Sequence, residues 1–245
     1  MRLAVIADIH GNLAALDAVL EDIATRGVEG IVNLGDCCAS PLWPRETFER
    51  LAGLNLPTVR GNHDRWVVEL PDEKMPPAGR FARDALTPDQ RAALHALPAT
   101  LQIAPDVLAV HGTPTDDSTY LLEEIQDGRL VPAARDTVAS RLGDAAGNAV
   151  VLCGHSHRQA LVEGPGGCLI LNPGSVGCPV FADSPAARGL EHRSPHARYA
   201  ILTKSRHGWA AEMLALAYDW DAAARRAEGN GRPDWAAMLR TGAVP

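Results

Sequence analysis

Five times along this chain a short apolar run stops at a glycine, an aspartate or a histidine. The clearest case is Ala149 to Cys153, followed by Gly154-His155-Ser156-His157. Val150, Val151 and Leu152 favour a buried strand, and Gly154 permits a sharp turn at its end. Residues i and i+2 of an extended chain share a face, so His155 and His157 can point into one pocket. The other four ends are Asp8-Ile9-His10 after Leu3–Ala7, Gly35-Asp36 after Ile31–Leu34, Gly61-Asn62-His63-Asp64 after Thr58–Arg60, and His111-Gly112 after Val107–Val110. Strand–turn–helix steps with polar groups at the C-terminal strand ends predict an α/β sheet with a crevice at those ends.

Between these runs the pattern is helical at first. Leu13, Leu16, Val19, Leu20 and Ile23 carry helical spacing, with Asn12 as N-cap and Gly27 as the stop. Pro44 to Leu51 reads as a second helix, and Met75-Pro76-Pro77 as a loop. Thr87-Pro88-Asp89-Gln90 is a capping box that opens a helix ending near Leu97-Pro98. Thr100–Ile103 and Val107–Val110 read as a hairpin around Pro105-Asp106. Tyr120–Ile125 and Pro132–Leu142 read as two helices. Strands Ala160–Val162 and Cys168–Leu171 follow, then a backbone-rich Asn172–Gly177 loop and a longer loop, Phe181–Ala197. A hairpin of Tyr199–Leu202 with Trp209–Leu216 and two short helices, Asp219–Ala227 and Trp235–Leu239, complete the pattern. With no repeat or linker, residues 1–245 read as one domain with helical elaborations at about 65–98 and 114–145.

Composition narrows the partners. A net charge of −7 with no basic stripe argues against general nucleic-acid binding. The five cysteines, Cys37, Cys38, Cys153, Cys168 and Cys178, form no C-x-x-C pattern and read as buried thiols of a reducing compartment. No leader pattern and no membrane-length apolar run is present, so the expected location is cytoplasmic, with no membrane partner.

Taken in order, DIHGN, GD, GNHD, HG and GHSH resemble the motif set of the calcineurin-like metallophosphoesterases, over Met1 to about Gly177. The DIHGN opening and the NPGSVG loop are similar to the small bacterial phosphodiesterase branch. The resemblance implies a four-layer α/β/β/α sandwich of two mixed sheets. It also implies two divalent transition-metal ions. Asp8, His10 and His157 would hold one, Asn62, His111 and His155 the other, and Asp36 would bridge them. His63 would be catalytic, with Asp64 orienting it, and a metal-bridging hydroxide would be the nucleophile. Carboxylate, imidazole and amide donors without thiolate suit manganese first, then iron, nickel or zinc.

The implied activity is hydrolysis of a small or nucleotide-like phosphodiester. The alternatives are a phosphomonoesterase, including a serine/threonine protein phosphatase, and a metal-stabilised binding module with little turnover. Asn12 and Arg65 are the candidate substrate contacts beside the motifs. Ala39 stands where purple acid phosphatases place a tyrosine, which argues against an iron–tyrosinate site. The retromer scaffold subunit lacks the histidine present here as His63, which argues for turnover. The acidic pairs Asp116-Asp117 and Glu123-Glu124 disfavour a long polyanionic substrate.

Overall fold

Alternate residues of the first strand face two different layers, and this alternation organises the molecule. The structure is a computed structural model describing residues 1–180 and 192–245, so residues 181–191 of the loop expected over Phe181–Ala197 lie outside the described residues. Strand β1 (Arg2–Ile6) sends Leu3 and Val5 towards a facing sheet, and Ala4 and Ile6 towards helix α1 (Leu13–Ala24). It pairs in parallel with β2 (Gly30–Asn33) on one side.

The N-terminal half then runs through α2 (Pro44–Leu54), α3 (Asn62–Glu69), α4 (Pro77–Ala85) and α5 (Pro88–His95). A second sheet is assembled from β3 (Thr100–Ala104), β4 (Val107–Val110), β7 (Val150–Leu152), β8 (Ala160–Glu163) and β9 (Leu169–Asn172). Two strands between β4 and β7, namely β5 (Glu123–Gln126) and β6 (Arg129–Pro132), pair only with each other and precede α6 (Arg135–Leu142). The chain returns to the first sheet through β10 (Ala197–Ser205) and β11 (Gly208–Leu216), then closes with α7 (Trp220–Gly229) and α8 (Pro233–Thr241).

Both main sheets are mixed. The first runs β11-β10-β1-β2 and the second β3-β4-β7-β9-β8, with β4, β7 and β9 parallel and both edge strands antiparallel. Leu3, Val5, Val32, Ala200 and Leu202 of the first sheet pack on Val107, Ala109, Val150, Leu152 and Leu171 of the second. The outer face of the first sheet takes Leu16, Val19, Leu20 and Ile23 of α1. The outer face of the second takes Val138 and Leu142 of α6 against Val151 and Ile170. Helices outside and two sheets inside give the four-layer α/β/β/α sandwich.

Several local expectations are corrected. Tyr120–Ile125 is not a helix, because Glu123–Gln126 and Arg129–Pro132 form an antiparallel hairpin. Its turn is Asp127-Gly128, with φ of 49° and 70°, the two-residue turn whose twist matches paired strands. The expected helix over Pro132–Leu142 starts only at Arg135, so the segment 114–145 is a hairpin and one helix. Thr58 makes a single parallel bridge to Asn33 rather than a strand. Pro77 lies in the first turn of α4, where a loop was expected.

Candidate metal centre

All five polar segments meet at one edge of the two sheets. Beyond β1 and β2 the backbone stays zipped, with Asp8 N–H donating to Gly35 O at 3.0 Å and His10 N–H to Asp36 O at 2.9 Å. Gly154 N–H extends the β4–β7 pairing by donating to His111 O at 2.7 Å. Two bonds cross between the sheets: His111 Nδ1 to Leu34 O at 2.7 Å, and the His155 N–H to Asp8 Oδ2 at 3.2 Å. Asn62 arrives as the first residue of α3.

The side chains gather in two adjoining groups. One donor atom from each of Asp8, His10 and His157 lies within 4.8 Å of the others, and the same holds for Asp36, His111 and His155. Asn62 Oδ1 joins the second group, 3.0 Å from His111 Nε2. Asp36 reaches both, with Oδ2 3.8 Å from His10 Nε2 and 3.4 Å from His111 Nε2.

The hydrogen bonds show that this cluster suits cations. His10 Nδ1 is 3.1 Å from Ala39 O, and His157 Nδ1 is 2.9 Å from Cys178 O. A carbonyl only accepts, so each Nδ1 carries the proton and each Nε2 presents a lone pair. Those two Nε2 atoms lie 3.1 Å apart. Two lone pairs repel at that distance, and a cation between them removes the conflict. Asp8 Oδ1 is buried with no hydrogen-bond partner. A bound cation would satisfy a buried carboxylate oxygen in that position.

The electrostatics agree. Burial lowers His10 to about 4 and His155 to about 3, and takes His157 well below its ordinary value, so their imidazoles are neutral donors. Burial works against charge on Asp36 and His111 too, but each outweighs it for the other: Asp36 is held well below the usual carboxylate range and His111 is raised to about 10. Burial pushes Asp8 well above it. Burial also pushes the Cys37 and Cys38 thiols far up, so the available set is nitrogen and oxygen.

The backbone is strained where the donors sit. Asp8, His10, Asp36, His155 and His157 have φ of 53°, 46°, 55°, 66° and 58°, in the left-handed region. Non-glycine residues held there concentrate at functional sites. Opposite them the Asn172–Gly177 loop presses on the β1 loop: Gly177 N–H donates to Asp8 O at 3.1 Å, and a Cβ at Gly177 would lie 1.8 Å from Ile9 O. Gly177→Ala must therefore displace the segment bearing Asp8 and His10. A loss of about 3 kcal/mol in denaturant unfolding is expected, the upper end of overpacking; a variant as stable as the wild type would refute the close approach.

The other expected residues divide. The His63 backbone N–H donates to Asp36 Oδ1 at 2.9 Å, and its ring lies 5.2 Å from that of His10. Asp64, expected to orient His63, accepts the backbone N–H groups of Asp36, Cys37 and Gly61 at 2.9, 2.9 and 3.0 Å, clamping two site loops together. Asn12, expected at substrate, is buried in the fold: Oδ1 caps α1 through Ala15 N–H, and Nδ2 donates to Gly177 O and Tyr218 Oη. The Arg65 guanidinium is held by both oxygens of Asp117, at 2.8 and 2.7 Å, and by Glu69. Sequence reasoning missed Tyr120, whose ring stacks on His155 at 4.6 Å, and His192, whose Nε2 lies 2.8 Å from His157 O. No spacing signal marks either one.

The model of the calcineurin-like phosphoesterase superfamily domain matches residues 1–192. A metallophosphoesterase from Sphaerobacter thermophilus superposes with a TM-score of 0.74 at 24% identity, covering 99% of this chain and 100% of that one. A hypothetical protein from Pyrococcus horikoshii gives 0.76 at 20% identity, covering 100% and 99%. An uncharacterized protein of Methanocaldococcus jannaschii is 48% identical over 66 residues, which span 27% of this chain and 27% of that protein.

Proposed function

This chain belongs to the calcineurin-like phosphoesterase superfamily, a metal-dependent phosphoric ester hydrolase family, and from that premise we propose that it hydrolyses a small or nucleotide-like phosphodiester at a two-metal centre. Asp8, His10 and His157 would hold one ion and Asn62, His111 and His155 the other, with Asp36 placed to serve both. The observation that carries this reading is the pair of Nε2 lone pairs facing each other at 3.1 Å, with Asp36 between that group and the next. Bound there, manganese or a similar divalent ion would supply a Lewis-acidic clamp for phosphoryl oxygens and acidify a water between the two sites.

The chain's own residues supply the rest. Asp36 fixes His63 through the backbone bond, so the proton donor is held in register with the bridging carboxylate. Asp64 keeps the loops bearing Asp36 and Asn62 at a constant separation. His63, half-buried at the rim, is the group placed to give a proton to the departing oxygen. Arg65 is neutralised by Asp117 and Glu69, so it is not offered to a doubly charged terminal phosphate. That favours the singly charged diester over the monoester. Five buried thiols support a reducing, cytoplasmic setting, and among the described residues no helix is long and apolar enough to cross a membrane.

The test is a comparison of aryl phosphodiesters, aryl phosphomonoesters and phosphopeptides with metal-loaded protein. A diester kcat/KM at least about tenfold above that of the monoester is expected, a difference of about 1.4 kcal/mol in transition-state binding. A reversed ratio makes the protein a phosphatase. No turnover with both ions bound makes it a binding module.

A further inference from the structure

Two rings neighbour that of His63: the buried His10, with centroids 5.2 Å apart, and the half-buried Trp66, at 4.8 Å and tilted by 58°. Trp66 stands one turn further along α3. Its neighbour Val67 packs into the cluster of Cys37, Cys38, Ala82, Leu86 and Leu94. Trp66 belongs to none of the hydrophobic clusters formed by the described residues, and its indole is half-buried. A large aromatic ring with no core to fill, at the rim of a polar site, has the character of a contact surface.

We propose that Trp66 is a specificity-determining residue whose indole face receives a flat aromatic group, a nucleobase, carried by the leaving group of the diester. The inference rests on the phosphodiesterase reading. In that reaction the water oxygen gives up a proton to solvent and bonds to phosphorus, the bond from phosphorus to the leaving oxygen breaks, that oxygen takes the His63 proton, and His63 regains one from solvent. The products are a phosphate monoester and an alcohol. His10 is the buried neighbour of His63 and Trp66 the half-buried one, so whatever the leaving oxygen carries extends outward past Trp66. Arg65, next to it in sequence, is already paired with Asp117 and Glu69, so it is not a spare cation for a second phosphate. An uncharged base on the indole fits these surroundings.

The experiment compares wild type, Trp66→Leu and Trp66→Phe, all full-length and metal-loaded. Two diesters of one nucleotide are used, one with a nucleoside leaving group and one with a propyl leaving group. Base–aromatic stacking is worth about 1–3 kcal/mol per base, roughly 5- to 150-fold in binding. Trp66→Leu is expected to lower the nucleoside-to-propyl ratio of kcat/KM by about tenfold or more, mainly through KM, and Trp66→Phe to retain most of it. Equal losses on both substrates would overturn the proposal and make Trp66 a brace for His63. An independent reading is quenching of indole fluorescence by adenosine, expected in wild type and reduced in Trp66→Phe; identical quenching in both would also overturn it. Failure of wild type to hydrolyse either diester would instead sink the phosphodiesterase reading, and the adenosine measurement would still decide the stacking surface.

Discussion

Asp36→Asn is expected to strip both metal ions and reduce activity by about 10³-fold or more, beyond the 10- to 100-fold typical of a group one step removed from a metal. Asp36 Oδ2 lies 3.8 Å from His10 Nε2 and 3.4 Å from His111 Nε2, nearer to the second group than Asp8 Oδ1, which is 3.5 Å from His157 Nε2 but 4.0 Å from His111 Nε2. Asparagine keeps the shape and can still accept the His63 N–H, so the fold around α3 has reason to persist. What disappears is the negative charge that two cations would share and that His111 answers in their absence. Elemental analysis of wild type should give about two ions per chain. His10→Ala, which removes a donor from one group only, should leave about one. Asp36→Asn should fall below His10→Ala and His157→Ala in both metal content and rate. Equal, mild losses in all three variants would contradict the bridging role, and one ion in the wild type would sink the two-metal mechanism.

His63→Ala is expected to do the opposite: keep both ions and lose rate. The imidazole stands at the rim, anchored through its backbone to Asp36, while the proposed donor beside it is Asn62. A proton donor matters most when the departing oxygen is a poor leaving group, such as an alkoxide, and least for an activated aryl ester. The loss should therefore be about 10²–10⁴-fold on alkyl diesters, the usual range for general acid catalysis, and smaller on aryl diesters. Metal loss in this variant would make His63 a ligand. Retained metal with equal slowing on both substrates would make it an electrostatic or positioning group.

The centre was legible because its residues are tied to strand ends, where composition changes abruptly. Short polar clusters after apolar runs are visible without coordinates, and alternation in β1 already separates Leu3 and Val5 from Ala4 and Ile6. What sequence reasoning missed was of two kinds. The β5–β6 hairpin carried its own signal, Asp127-Gly128, but the apolar Tyr120-Leu121-Leu122 next to it was read as a helix. Those three residues are buried as an irregular segment against the site and α6. The second kind has no local signal: Tyr120 stacks on His155 and His192 Nε2 reaches His157 O, contacts that no spacing marks. Long-range contacts likewise surround Asn12, through Gly177 and Tyr218, and Arg65, through Asp117.

The left-handed backbone at five proposed ligands has a consequence for how such a chain can change over generations. An ordinary residue in that conformation costs about 1–2 kcal/mol that glycine avoids. The same five positions of the described structure are thus where stability and chemistry are opposed. Selection for durability alone would favour glycine or asparagine there and would erase the donors before touching the sheets. A heat-resistance screen run without an activity filter would yield sturdy scaffolds emptied of catalysis. On the proposed ligand assignment, aspartate and histidine in these strained places mark selection for reaction over endurance.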